Sequence, residues 1–186
     1  MNTLRRPLGV ALLIAFVAVV TLLGVHRLYP LGYSGSLREA AGENGLPASL
    51  VAAVVREESR FRPGAVSPKG ALGLMQLMPS TAEWIAVSLG EDDFEIGDLL
   101  EPETNLRMGC WYLAHLVEVF DGSEIPAIAA YNGGVGRVAG WIGEDVWDGS
   151  AQHLEDIPTP ETREFLRRVL ASRRIYRGMF SLLRWE

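Results

Sequence analysis

The stretch "SLVAAVVREESRF", Ser49 to Phe61, is an apolar run that ends in two adjacent carboxylates, Glu57 and Glu58. A helix that carries Leu50, Val51, Val54 and Val55 into a core usually keeps its acids on the opposite face. Here Glu58 follows Val54 by four residues and Val55 by three, so its carboxylate lies beside the apolar stripe. Glu57 follows Val54 by three and Ala53 by four, so periodicity alone does not choose between them. A carboxyl on a dry wall has its charged form disfavoured and its pKa raised. Such a group holds a proton near neutral pH and can donate it. The bland alternative is a solvated pair at a helix end beside Arg56, Arg60 and Arg62.

Around this helix the punctuation is helical. Ser36-Leu37-Arg38-Glu39 has the form of a capping box, which predicts a helix start there, ended by Gly42 to Gly45. Pro47 opens the next helix at its first position, and that helix runs to about Arg60. Pro63 to Gly73 reads as an irregular loop. Ser80 and Glu83 form a second capping box, with a helix to about Leu89. Asp92 to Thr104 is acidic and irregular. From Asn105 to Phe120, apolar residues at 106, 110, 113, 117 and 120 make a helical stripe. Pro126 opens a short helix through Tyr131 that stops at "NGGVG". Glu144 to Ile157 reads as an acidic loop, and a last helix covers about residues 160 to 183. No period-two run appears. The predicted fold is all-α or nearly so.

The N-terminus carries a separate signal. "LGVALLIAFVAVVTLLGV", Leu8 to Val25, has 18 residues and no charge. At about 1.5 Å rise per residue such a helix nearly crosses a bilayer core. Arg5 and Arg6 precede it, which orients the N-terminus toward the cytoplasm and the rest outward. The following "HRLYP" lacks the small-residue pattern of a signal-peptide cleavage site. The expected organisation is a single-pass anchor in residues 1–29, a linker in 30–35 and one domain in 36–186.

Charge and cysteine usage exclude several classes. From Leu37 onward there are 14 basic against 23 acidic residues, a net of −9. A nucleic-acid groove needs a dense basic face, so no nucleic-acid partner is expected. Seven arginines cluster between Arg163 and Arg184, either as a solvated helix face or as a contact for an anionic membrane or wall polymer. The single cysteine, Cys110, builds no disulfide and sits where a small core residue belongs. His26, His115 and His153 show no metal-ligand spacing.

Three further stretches stand out. In "GALGLMQLMPSTAEW", Gly70 to Trp84, Gln76 lies among Leu and Met and needs a partner if buried, either backbone or ligand. In "AIAAYNGGVGRV", Ala127 to Val138, Tyr131 and Asn132 sit where a helix breaks, as a cap or as polar groups aimed into a cleft. In "IPTPETREFLRRVL", Ile157 to Leu170, Glu161 falls in a first helical turn, where the helix dipole favours it.

Taken in order, these blocks resemble the lytic transglycosylases of the soluble-lytic-transglycosylase type, within the lysozyme-like superfamily. The matching residues are Glu58-Ser59, Gly73 to Pro79, Ala130 to Gly134, and Glu161-Thr162-Arg163. The resemblance spans roughly residues 36 to 180, and the departure is Gly133, where Ala is common. It implies a lysozyme-like helical domain acting on peptidoglycan glycan strands. It implies Glu58 as the catalytic acid, because Glu58 directly precedes Ser59. Ser67, Gln76, Met78, Tyr131 and Asn132 would line the sugar subsites, with Glu161 as a polar contact near the cleft. Tyr131 would bond either Glu58 or the substrate's acetamido group. No metal or organic cofactor is required. Glu57 is left as a solvated neighbour of Arg60 or Arg56. The implied reaction cuts between N-acetylmuramic acid and N-acetylglucosamine and leaves a 1,6-anhydromuramyl end. A hydrolytic muramidase on the same fold and a non-catalytic wall-binding module are the competing readings. Independently of the resemblance, the anchor and its orientation lead one to expect the domain on the wall-facing side of the cytoplasmic membrane.

Overall fold

A computed structural model describes residues 13–17, 19, 20, 24 and 27–185. The chain divides into two compact units, Met1–Gly32 and Tyr33–Glu186. In the first, residues 13–17, 19, 20, 24, 27 and 28 are helical. Among the described residues no helix is long and apolar enough to cross a membrane. Much of the Leu8–Val25 run expected to form an anchor lies outside the described residues.

The second unit is built from seven α-helices: α1 (Ser34–Glu43), α2 (Ala48–Ser59), α3 (Pro79–Leu89), α4 (Pro102–Val119), α5 (Glu124–Gly133), α6 (Val135–Gly143) and α7 (Pro160–Leu183). Two 3-10 turns, Ile96–Leu100 and Leu154–Asp156, lie in the acidic stretches. No strand occurs among the described residues, only the isolated bridges Val66–Leu72 and Leu72–Leu77. The all-α expectation holds.

Helix α2 is the axis of this unit. Leu50 through Val55 are six consecutive residues with no exposed surface. A helix that is apolar all round belongs inside a core, and α2 is enclosed by α1 and, most extensively, by α7. The facing stripe of α7 is Phe165, Val169, Ser172, Tyr176 and Phe180, all buried at helical spacing. At the end of α2 the Glu57 side chain therefore meets protein, and Glu58 is half-buried beside it. That enclosure is why periodicity could not separate them.

Several helix starts differ from the sequence reading. Neither Ser36 nor Ser80 caps a helix. Helix α1 begins at Ser34 after a left-handed Tyr33, and α3 begins at Pro79 after Met78, each without a side-chain cap. The prolines at the starts of α3, α4 and α7 supply the missing signal, since their fixed φ suits the first turn. For α2, Pro47 is instead the residue before the helix. Helix α4 starts three residues earlier than its apolar stripe suggests. The sequence reading assigns no element between "NGGVG" and Glu144; helix α6 forms there, set off from α5 by Gly134 at φ 89°. Its anchor is the buried Val138.

Candidate active site

Glu58 occupies the last turn of α2. The chain then reverses through two successive left-handed residues, Arg60 at φ 54° and Phe61 at φ 61°. Such non-glycine conformations cost about 1 kcal/mol or more each. Burial of Phe61, its ring 6.2 Å from that of Tyr176, holds the turn. Ser59 seals the helix end, its hydroxyl donating to the Val55 carbonyl at 3.1 Å and its own carbonyl accepting from Arg62 Nε at 3.1 Å.

Desolvation pushes the Glu58 carboxyl up to about 8. The Arg168 guanidinium opposes that rise, while Glu161 and Glu57 add to it. Glu58 is thus half-buried, protonated at neutral pH and faced by three charged side chains. That is the condition of a general acid.

The loop from Pro63 to Met78 forms a platform beside it. Gly73 turns at φ 80°, and a Cβ there would meet the Asn105 amide at 2.1 Å and the Leu99 carbonyl at 2.2 Å. Asn105, fully buried on α4, clamps the loop. Its Nδ2 donates to the carbonyls of Leu72 at 3.0 Å and Leu99 at 2.9 Å, and its Oδ1 accepts from Met75 N–H at 2.7 Å. The sequence reading missed Asn105. The available signal was an amide on the buried side of an apolar stripe, which must find partners.

The candidate binding residues divide by what their polar atoms already do. Gln76 sits on this loop in a left-handed conformation, its Nε2 donating to Ala65 and Gly73 carbonyls at 3.0 and 2.8 Å. Its amide nitrogen is tied to backbone, and its Oε1 carries no such bond among the described residues. The Ser67 hydroxyl accepts from Ala71 N–H at 2.9 Å. Met78, exposed, ends the platform. Tyr131 on α5 donates to the Met75 carbonyl at 2.8 Å, not to Glu58. Burial and then the neighbouring Glu58 hold its hydroxyl protonated well above the usual tyrosine range. Asn132 is not a cap: α5 continues to Gly133, and the Asn132 Oδ1 accepts from Thr162 Oγ1 at 3.0 Å. A Cβ on Gly133 would lie 3.0 Å from that same Thr162 Oγ1, so the glycine permits the close approach of α5 to α7. Glu161 is exposed and meets Lys69 of the loop at 3.3 Å.

Glu57 is the clear correction. Its side chain is 6 % exposed, and it is neither solvated nor paired with Arg60. Arg56 pairs with one carboxylate oxygen, which also accepts from Ser172 Oγ at 2.6 Å. Arg168 Nε meets the other at 3.1 Å. Four of the seven C-terminal arginines, Arg163, Arg167, Arg168 and Arg173, are in ion pairs with acids of the same domain. The cluster is in large part internal pairing.

Beyond Tyr131 runs an aromatic row absent from the sequence reading. Tyr112 lies 5.5 Å from Tyr131, and Trp84 lies 6.2 Å from Tyr112 and 5.4 Å from Trp111. Ser80, Thr81, Trp84, Tyr112 and His115 line a cleft of 300 Å³ there. Trp84 is 44 % exposed, an apolar surface open to a ligand. Thiolate chemistry has no place in the site, because burial pushes the Cys110 thiol up to about 12.

Comparison with known proteins supports a single affiliation. Residues 35–154 match the family described as "Transglycosylase SLT domain". The chain is 37 % identical over 155 residues to the soluble lytic murein transglycosylase of Escherichia coli K12, covering 82 % of this chain and 24 % of that protein. It is 38 % identical over 122 residues to the membrane-bound lytic murein transglycosylase C of Shigella sonnei, covering 57 % of this chain and 32 % of that protein. Among solved structures, an inactive mutant of lytic transglycosylase Slt from Pseudomonas aeruginosa superposes with a TM-score of 0.77 at 34 % identity, over 84 % of this chain and 26 % of that one. The chain spans about a quarter of the length of the soluble relatives it matches.

Proposed function

The chain belongs to the transglycosylase SLT domain family, and on that premise we propose that it is a lytic transglycosylase of peptidoglycan with Glu58 as its single acid and base. The observation that carries this reading is Glu58 itself, a carboxyl in the last turn of α2 that burial keeps protonated up to about pH 8. Protonated Glu58 delivers its proton to the glycosidic oxygen between N-acetylmuramic acid and N-acetylglucosamine. The C1–O bond breaks, and the sugar's 2-acetamido carbonyl oxygen stabilises the cationic C1. The Glu58 carboxylate then takes the proton from the muramyl C6 hydroxyl as that oxygen bonds to C1. Glu58 ends protonated, no water is consumed, and the product carries a 1,6-anhydro ring.

A hydrolase would use a second carboxylate as nucleophile or as base for water. The two other carboxylates whose charge reaches Glu58 are already engaged, Glu57 with two arginines and Glu161 with Lys69. This favours the transglycosylase over the muramidase. The free Gln76 Oε1, together with Ser67, Met78, Tyr131, Asn132 and Glu161, would contact the sugars nearest Glu58. The aromatic row through Tyr112 and Trp84 offers flat apolar faces to rings further along the strand.

The uncharged run Leu8 to Val25 behind Arg5 and Arg6 supports a membrane anchor with the domain on the wall side. Retention of the full chain in membranes after an alkaline carbonate wash checks that assignment; release into the wash counts against it.

The deciding experiment is mass spectrometry of purified sacculi digested by the wild type and by Glu58→Gln. The wild type is expected to release 1,6-anhydromuramyl fragments and the variant none. Reducing-end products, heavier by one water, would assign a hydrolase instead. Activity surviving in Glu58→Gln would remove Glu58 from the mechanism.

A further inference from the structure

Glu57 has a place in the site that the reading of Glu58 as the acid does not explain. A carboxylate this buried is costly unless paired, and replacing a buried ion pair by apolar residues is often neutral or stabilising. Fold stability alone therefore gives little reason for the charge. The pairing is also elaborate. The Glu57 Oε1 accepts from Arg56 Nη1 and from Ser172 Oγ at 2.6 Å, and Arg56 Nη1 donates to Ser172 Oγ at 3.2 Å. The Oε2 takes Arg168 Nε at 3.1 Å, while Arg168 Nη1 lies 3.8 Å from Glu164.

Arg168 is the cation of this group whose field reaches Glu58. The charged and titratable groups that act on Glu58 or feel it are Glu57 from its own helix, Arg168 and Glu161 from α7, and Tyr131 from α5. Glu161 is in turn met by Lys69 of the loop. Of the two carboxylates that end α2, Glu57 holds the guanidinium, and Glu58 makes no ion pair among the described residues.

We infer that Glu57 is a positioning residue for Glu58: its buried carboxylate holds the Arg168 guanidinium in an ion pair, and this keeps the cation from pairing with Glu58. A glutamate that donates a proton must not be locked as a carboxylate by an arginine. Ser172 and Arg56 fix the rotamer in which Glu57 does the holding. The role in activity rests on the transglycosylase reading; the titration of Glu58 does not.

The test titrates Glu58 by NMR in the full chain carrying glutamate labelled with carbon-13 at the side-chain carboxyl. Loss of the signal in Glu58→Gln assigns it. Glu57→Gln is expected to bring the Glu58 titration down by about one to three pH units, the range for a carboxyl that gains a cationic partner. Removing the Glu57 charge lowers it directly as well, so the same change is measured in an Arg168→Ala background. There the shift is expected to be less than half as large. Equal shifts in the two backgrounds overturn the inference, because they leave Arg168 no part in it. So does an unmoved titration in Glu57→Gln. Where Glu57→Gln does not fold, Ser172→Ala removes one bond to Glu57 and is expected to shift Glu58 in the same direction by less; no shift there overturns the inference too. In sacculus digestion the alkaline limb is expected to move to lower pH in Glu57→Gln and to return in the double variant. A wild type inactive on sacculi defeats the transglycosylase reading, and the titration still decides the role of Glu57.

Discussion

Replacing Glu58 by Gln is expected to stabilise the folded chain, by an amount that grows with pH. The Glu58 carboxyl, ordinarily near 4.5, is pushed up to about 8 in the fold. The folded state therefore binds this proton more tightly than the unfolded chain. The stability it contributes is complete below the unfolded pKa and is withdrawn as pH rises through the folded one. Each pH unit inside that window costs about 1.4 kcal/mol. The wild type thus gives up about 3 kcal/mol by pH 7 and at most about 5 kcal/mol above pH 8. Gln keeps the shape of the neutral acid and cannot ionise. Urea unfolding of both proteins from about pH 4.5 to about pH 9 reads the difference directly. Titration of the carboxylates that do not interact with Glu58 cancels between the two. The difference should be near zero at the acid end and reach several kcal/mol in favour of Glu58→Gln at the alkaline end. Curves that run parallel across the range, or a wild type more stable above pH 8, would refute the claim that burial strains the ionised Glu58. The same measurement separates function from stability, since the variant expected to be inert is also expected to be the sturdier protein.

Two further outcomes follow from the same geometry. Sacculus digestion is expected to fall as pH rises through about 8, where the Glu58 acid loses its proton; a fall centred near the ordinary carboxyl range would contradict the protonated state assigned to it. Asn105→Ala leaves Met75 N–H and the Leu99 carbonyl without the Asn105 amide, while the Leu72 carbonyl keeps its bond from Leu77 N–H at 3.0 Å. At about 1–3 kcal/mol for each of these two buried groups, the urea midpoint should report a loss of about 2 kcal/mol or more. A loss below about 1 kcal/mol would mean the loop is held by other contacts.

Much of the site was legible because its signals are local or rest on a family likeness. The apolar run of Ala48–Ser59 marks α2, and the block Gly73 to Pro79 marks the platform loop. Other features depend on residues far apart in the chain. The Asn105 clamp joins α4 to a loop 30 residues earlier at Met75. Nothing beside Asn105 in sequence says which carbonyls it will meet. Helix α6 follows a glycine break at Gly134, and its buried residue, Val138, packs away from solvent.

The amino-acid sequence by itself determined that this is an all-helical domain and that a carboxylate ends its central helix. Both follow from periods and punctuation within a few turns of chain, and the likeness to one family then selected Glu58. Only the tertiary structure decided what surrounds that carboxylate. The Glu57 contacts to Arg168 and Ser172 bridge 111 and 115 residues. The Tyr131 hydroxyl turns to the Met75 carbonyl, 56 residues away. The physical reason is the enclosure of α2. With its walls apolar on all sides, the helix leaves both glutamates facing other elements, and the packing of α7 against it brings Arg168 to Glu57 and leaves Glu58 its proton.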